Sequence, residues 1–164
     1  TKVLVAMAVE VVEPKGFGRI RLRRIDRDAA THVIPFVQEV VEPGAQVRTD
    51  GSAAYRALGE LGYTHQRTVM LGSGVPAHVS MAGVHRVASL VQRWVLGTHH
   101  GSVQPDHLDA YLDEFVFRFN RRTSSSRGML FYRLLQQAVV TPPVTYGDVV
   151  SKNTGESQSD TIAG

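Results

Sequence analysis

Apolar residues fall into three spacings along this chain, and each spacing predicts a kind of element. Val3 to Val12 is almost continuously apolar and rich in β-branched side chains, the pattern of a strand covered on both faces. Glu13-Pro14-Lys15-Gly16 is turn chemistry. Arg19 to Ile25 then alternates basic residues with apolar Ile20 and Leu22, which predicts the second strand of a hairpin with one solvated face. From Val33 the apolar positions Phe36, Val37, Val40 and Val41 follow at i+3, i+4, i+7 and i+8, so a helix runs to Pro43-Gly44, with Pro35 marking its first turn or a kink. Gln46 to Thr49 reads as a short strand. Asp50 closes its C-terminal end, where the chain turns through Gly51 into a helix holding Tyr55 and Leu58. His65 to Leu71 reads as a further strand, and Gly72 to Gly83 as loop.

Two longer amphipathic helices follow. In Val84 to Leu96, Val84, Val87, Val91, Trp94 and Val95 make an apolar stripe, while His85, Ser89 and Gln92 share another face at i, i+4 and i+7. In His107 to Asn120, Leu108, Tyr111, Leu112, Phe115 and Phe119 recur at helical spacing, and Glu114 stands four residues before Arg118 as a helix-stabilising pair. Thr123 to Ser126 breaks the pattern. Met129 to Val140 is a shorter amphipathic helix ended by Pro142-Pro143. Residues 151–164 have the polar composition of a disordered tail, which leaves 1–150 as one domain. There are no internal repeats.

Composition changes this picture little. The 164 residues suit a single domain with a real core. Eighteen Lys+Arg against fifteen Asp+Glu give a formal net charge of +3, a balance that favours a polyanionic partner without singling one out. Most of the cations are Arg, the residue suited to bidentate phosphate contacts. The chain has no cysteine, so disulfides and Cys-ligated zinc are excluded within it. No apolar run approaches the roughly 20 residues of a membrane span, and the first residues lack a charged, cleavable leader. The expectation is a cytoplasmic, nucleoid-associated protein with no membrane partner.

One stretch carries more information than composition: Val84 to Arg122, a basic helix, a His-rich glycine turn and a second helix ending in an Arg pair. Together with Arg127-Gly128 and Leu130-Phe131-Tyr132-Arg133-Leu134 after it, and Thr49-Asp50-Gly51 with Tyr55 before it, it resembles the catalytic domain of ISXO-type insertion-sequence transposases of the DDE superfamily. The likeness runs from Lys2 to Val149. It implies an α/β, ribonuclease H-like (integrase-type) mixed sheet with flanking helices, and metal-dependent DNA cleavage and strand transfer. In that family three residues hold two divalent cations, Mg²⁺ or Mn²⁺, which activate the nucleophile and stabilise the leaving oxygen. By resemblance Asp50 is the second of the three and His85 takes the third place, where relatives commonly carry Glu or Asn. Imidazole suits Mn²⁺ better than Mg²⁺. Two turns further on, where relatives carry Lys, this chain has Gln92, which donates a hydrogen bond but no charge. Arg86, Arg93, Arg118, Arg121 and Arg122 are the remaining candidates for gripping DNA.

The family's first catalytic aspartate, on a strand central to the sheet, has no counterpart here. The resemblance therefore implies an N-terminally truncated transposase that is inactive by itself, in a family whose full-length members form homo-oligomers on DNA. The alternative is a DNA-binding or multimerising remnant that interferes with a full-length enzyme, and an unrelated basic globular domain remains a third reading. Plainer readings stand beside each residue. Thr-Asp-Gly is most often a turn, a lone His at a helix start is usually solvated, and the Arg pair suits a helix C-terminus. His99, His100 and His107 are more simply polar loop residues than a metal site, and Trp94 with the neighbouring Phe residues is more simply core than a base-stacking platform.

Overall fold

The computed structural model describes residues 3–14, 16–68, 81–99, 107–143 and 145. Strands β1 (Leu4–Val11) and β2 (Phe17–Ile25) form an antiparallel ladder, from Leu4 opposite Ile25 to Val9 opposite Ile20. The register slips at Glu10, whose carboxylate accepts the Arg19 N–H at 2.7 Å. Helix α1 (Ala30–Val40) starts three residues before the apolar periodicity does and holds Pro35 in its interior. Its exit is a tight turn in which the Ala45 N–H reaches the Glu42 carbonyl at 3.2 Å. Pro43 fixes the first corner, and Gly44, at φ +83°, takes the left-handed one that a side chain resists. Strand β3 (Gln46–Thr49) then pairs in parallel with β4 (Thr64–Arg67), and a 3-10 helix (Ala53–Leu58) lies between them in sequence. Three helices follow: α2 (Ala82–His99), α3 (Leu108–Asn120) and α4 (Arg127–Val140). Of the loop expected over Gly72 to Gly83, Ala82 and Gly83 instead open α2; residues 72–80 and the end of the strand expected to reach Leu71 fall outside the described residues, as do the domain end at 150 and the tail.

The β1–β2 ladder is the middle of three layers. A strand's period of two sends Val5, Met7 and Val9 to the same side as Ile20 and Leu22, and there they meet Val87, Leu90, Val91 and Trp94 of α2 and Leu112 and Phe115 of α3. The opposite side carries Ala6, Ala8 and Ile25, which pack with Val33, Phe36 and Val37 of α1. The charged residues of β2 obey the same alternation. Arg24 reaches Asp109 of α3 at 4.0 Å, while Arg23 on the other face pairs with Glu39 of α1 at 2.5 Å and lies 5.5 Å from the Phe36 ring centroid. That hydrogen bond holds Glu39 below the usual carboxylate range. The solvated face expected for β2 is thus roofed by α1 around Arg23. An arginine stem can cover apolar surface while its guanidinium stays near water, so a basic-apolar alternation did not require an open face.

Helix α1 also packs on the 3-10 helix that links β3 to β4. Val40, Val41, Val47, Ala54, Leu58 and Tyr63 belong to the same cluster as Ala6 and Phe36. The two ladders nevertheless do not join: among the described residues β1 bonds only to β2 and β3 only to β4. The architecture is mixed α/β with two small sheets, and no single continuous sheet is present among those residues.

β2 has its far edge closed by side chains. The Asn120 amide, at the end of α3, accepts the Ile20 N–H at 2.7 Å and donates to the Ile20 carbonyl at 3.1 Å, so one side chain replaces a neighbouring strand. Arg122 continues the closure with guanidinium bonds to the carbonyls of Phe17, Gly18 and Phe119. The compact unit built this way ends at Arg122; residues 123–164 form a second unit. Within it α4 exposes Phe131, Leu134, Leu135 and Val139, a stripe at i, i+3, i+4 and i+8.

The Asn120 bond makes a stability prediction. Asn120→Leu keeps the volume but leaves the Ile20 N–H and C=O against an apolar side chain, at a cost of about 2 kcal/mol. Urea denaturation should show a clearly lower midpoint; an unchanged one removes the amide from the forces that hold α3 on β2.

Candidate functional site

β3 delivers Asp50 to a corner where several polar groups meet. The strand end is fixed by buried Thr49, whose hydroxyl lies 2.8 Å from Nε2 of His65 on β4 and whose carbonyl accepts the Thr68 N–H at 2.8 Å. Asp50 follows, half-buried, with Oδ1 accepting the Ser52 N–H at 3.0 Å. Such a side-chain-to-backbone bond two residues on is the turn that Asx-Gly sequences favour. Arg67 of β4 donates to the Gly51 carbonyl at 2.7 Å, which fixes the turn from the other side. Ser52 then starts the 3-10 helix, accepting the Ala54 N–H on its hydroxyl at 3.3 Å while that hydroxyl donates to Asp28 at 3.2 Å. Thr49-Asp50-Gly51 is thus a turn in plain fact, and the turn holds its carboxylate by one oxygen at the C-terminal end of a parallel strand.

Asp28 is a member of this corner that the sequence reading missed. Its signal was weak: an acidic residue among Asp26, Arg27 and Asp28, just before α1, reads as a helix start. Tyr55 lies within reach of both carboxylates. Burial raises its pKa above the usual tyrosine value, and the negative charges of Asp50 and then Asp28 raise it further.

His85 arrives on a different element. Gly83, in the first turn of α2, sits against the hairpin, and a Cβ there would lie 2.8 Å from the Phe17 ring and 3.4 Å from Val9. Val87, fully buried, anchors the next turn. His85 points away from this contact and is exposed, with Arg86, Gln92 and Arg93 also exposed. Ser89, expected to share the His85 face, turns its hydroxyl back onto the His85 carbonyl at 2.9 Å. No hydrogen bond links His85 to Asp50. Helix α2 packs on β1, whereas Asp50 follows β3.

The cations of α3 are already engaged within the unit. Arg118 pairs with Glu114 at 2.8 Å, as the i, i+4 spacing predicts. Arg121 lies 3.8 Å over the Phe117 ring, and Arg122 lies 3.9 Å over Phe119 in addition to its carbonyl bonds. Among the described residues no three carboxylate or imidazole groups come together to hold a metal ion. His100, one of three histidines weighed as a metal cluster, lies outside the described residues.

Comparison with known families gives one match: residues 1–120 fit the family model of the ISXO2-like transposase domain. No curated protein and no solved structure matches the chain. No helix among the described residues is long and apolar enough to cross a membrane.

Two outcomes test this geometry. Asp50→Asn removes one of the charges that oppose tyrosinate formation, so the highest tyrosine titration, read by tyrosinate absorbance, should move down while the part due to burial persists. The folded Tyr55 stays protonated above the pH at which the unfolded one ionises, so its contribution to stability is full below about pH 10 and is lost as pH rises toward the folded pKa. Tyr55→Phe should flatten that alkaline loss; if both variants titrate like wild type, Tyr55 does not sense Asp50. For Gly83→Ala the helix-propensity gain is at most about 1 kcal/mol, and crowding Phe17 costs about 1–3 kcal/mol. Net destabilisation by thermal melting is expected, and a more stable variant would show that Phe17 yields freely.

Proposed function

Because the chain belongs to the ISXO2-like transposase domain family, we propose that it acts on DNA in transposition, through a ribonuclease H-like core in which Asp50 and His85 contribute to the site of phosphodiester cleavage and strand transfer. The observation that supports this best is Asp50 itself, a carboxylate held at the C-terminal end of a parallel strand. The two ladders add to it. α1 packs on the β1–β2 ladder and on the 3-10 helix that links β3 to β4, while neither β1 nor β3 has a second strand partner among the described residues, an arrangement that suits one more strand between them. A strand there would lie beside β3 and could bring a further carboxylate to Asp50.

Divalent metal ions would supply nucleophile activation and leaving-group stabilisation in the family's reaction. Inactivity of the chain by itself is part of this proposal and is tested below. The chain's own contribution is to hold DNA: Arg86, Gln92 and Arg93 are exposed on α2, and Arg118, Arg121 and Arg122 lie at the end of α3. The exposed apolar stripe of α4 favours a second reading, a non-catalytic DNA-binding or multimerising piece that joins other copies of the transposase.

Incubating the chain with duplex DNA carrying the element's ends, with Mg²⁺ or Mn²⁺, should give neither nicks nor joined products. Metal-dependent nicking that vanishes in Asp50→Ala would overturn the inactivity while establishing the site. Duplex affinity across a salt series tests the DNA reading directly, since each neutralised phosphate adds roughly −0.9 to the log-log slope. Gln92→Lys should tighten binding and steepen the slope by about one unit, and Arg121→Ala/Arg122→Ala should weaken binding. Identical affinity and slope in all three proteins would leave a basic globular surface with no DNA-facing helices.

A further inference from the structure

An open groove of about 400 Å³ runs between α2 and α3, with Trp94, Phe115 and Phe119 on its walls and Arg93, Arg118 and Arg122 around it. The rings form a continuous tier. Trp94 stands edge-on to Tyr111 at 6.3 Å and tilted to Phe115 at 5.5 Å, and Phe115 stacks with Phe119 at 6.0 Å. Only part of this tier is core: Phe115 is buried, while Trp94 and Phe119 are half-buried and line open space. The Arg122 guanidinium lies over the Phe119 ring at 3.9 Å and covers one of its faces.

We propose that this groove takes an unpaired DNA base, stacked on the Trp94–Phe119 tier, with its flanking phosphates met by Arg93 and Arg118. The occupant follows from the lining. Aromatic walls favour a flat π surface, and three guanidiniums with Glu114 as the one acidic partner among their described contacts favour a polyanion. A nucleotide satisfies both demands. An apolar helix would leave the arginines facing it without anions, and an acidic peptide would leave the rings unused. The groove is also open enough for a single base and its sugar, at the lower end of the size of small-ligand sites. Arg93 stands about 80° round α2 from His85 and two turns along it, so one strand can pass from the His85 face to the groove. The inference rests on the DNA reading above and adds a preference for unpaired over paired strands.

Trp94 is the chain's single tryptophan, so its emission reports on the groove alone. The intact chain is titrated with a short oligodeoxythymidylate, an abasic strand of equal length and a blunt duplex at one salt concentration. Saturable quenching by oligodeoxythymidylate, with the abasic strand binding about tenfold more weakly and quenching little, is the expected result. Exposed Arg93→Ala should weaken the oligodeoxythymidylate and lower its salt slope by roughly 0.7. Trp94→Leu should weaken it about tenfold; if that variant does not fold, the wild-type titrations and Arg93→Ala still decide. Equal affinity for abasic and base-bearing strands, or binding without quenching, overturns the groove and leaves the DNA reading standing. No binding of any of the three overturns both.

Discussion

The unit from the first strand to Arg122 depends on a two-stranded ladder whose two faces both have to be covered. A hairpin alone is marginal in water, and here each face carries apolar side chains: Val5, Met7, Val9, Ile20 and Leu22 on one, Ala6, Ala8 and Ile25 on the other. The first set draws α2 and α3 onto the ladder, the second draws α1. The side chains are sized to suit. Small Ala6 and Ala8 let α1 approach closely with Phe36 between, while the larger residues of the other face fill the wider space under two helices. Fully burying a residue such as Ile20 or Leu112 contributes about 1.5–3 kcal/mol, several times what an exposed ion pair such as Arg118–Glu114 supplies.

The edges of that ladder are treated unequally, and this shapes the rest of the molecule. β2 is sealed by Asn120 and Arg122, which satisfy backbone groups with side-chain donors and acceptors. The Asn-Arg-Arg end of α3 therefore has a structural duty before any DNA-binding one: Asn120 is committed to Ile20, and Arg122 spends donors on three carbonyls while stacking on Phe119. β1 has no such seal among the described residues, and neither has β3 on the side away from β4.

The candidate site residues sit at the ends of elements rather than within them. Asp50 terminates β3, Asp28 precedes α1, and His85 belongs to the first turn of α2. Each is placed by a neighbour with a packing role: Thr49 buried against His65, Ser52 bridging Asp28 and the 3-10 helix, and Gly83 pressed on Phe17. The division suits the physical chemistry, because a carboxylate near water avoids the desolvation cost of the interior. Tyr55, buried beside two carboxylates, shows the cost that applies deeper in.

The sequence by itself determined the elements and their types, because periodicity is a local property. The short strand Gln46–Thr49 has the predicted bounds, α3 differs from its predicted span by one residue at its start, and the Pro43-Gly44 turn lies where its residues demand it. The resemblance carried by Val84 to Arg122 led to the family that residues 1–120 match. Only the tertiary structure decided which elements meet. It turned the Arg face of β2 toward α1 through Arg23 and Glu39, brought Asp28 beside Asp50 from 22 positions away, and assigned Asn120 to Ile20 across 100 residues. It also lined Trp94 up with Phe115 and Phe119 on the wall of a groove, where the sequence had favoured plain core. Contacts of that kind depend on how two apolar faces dock. Spacing along one chain fixes each face but not its partner.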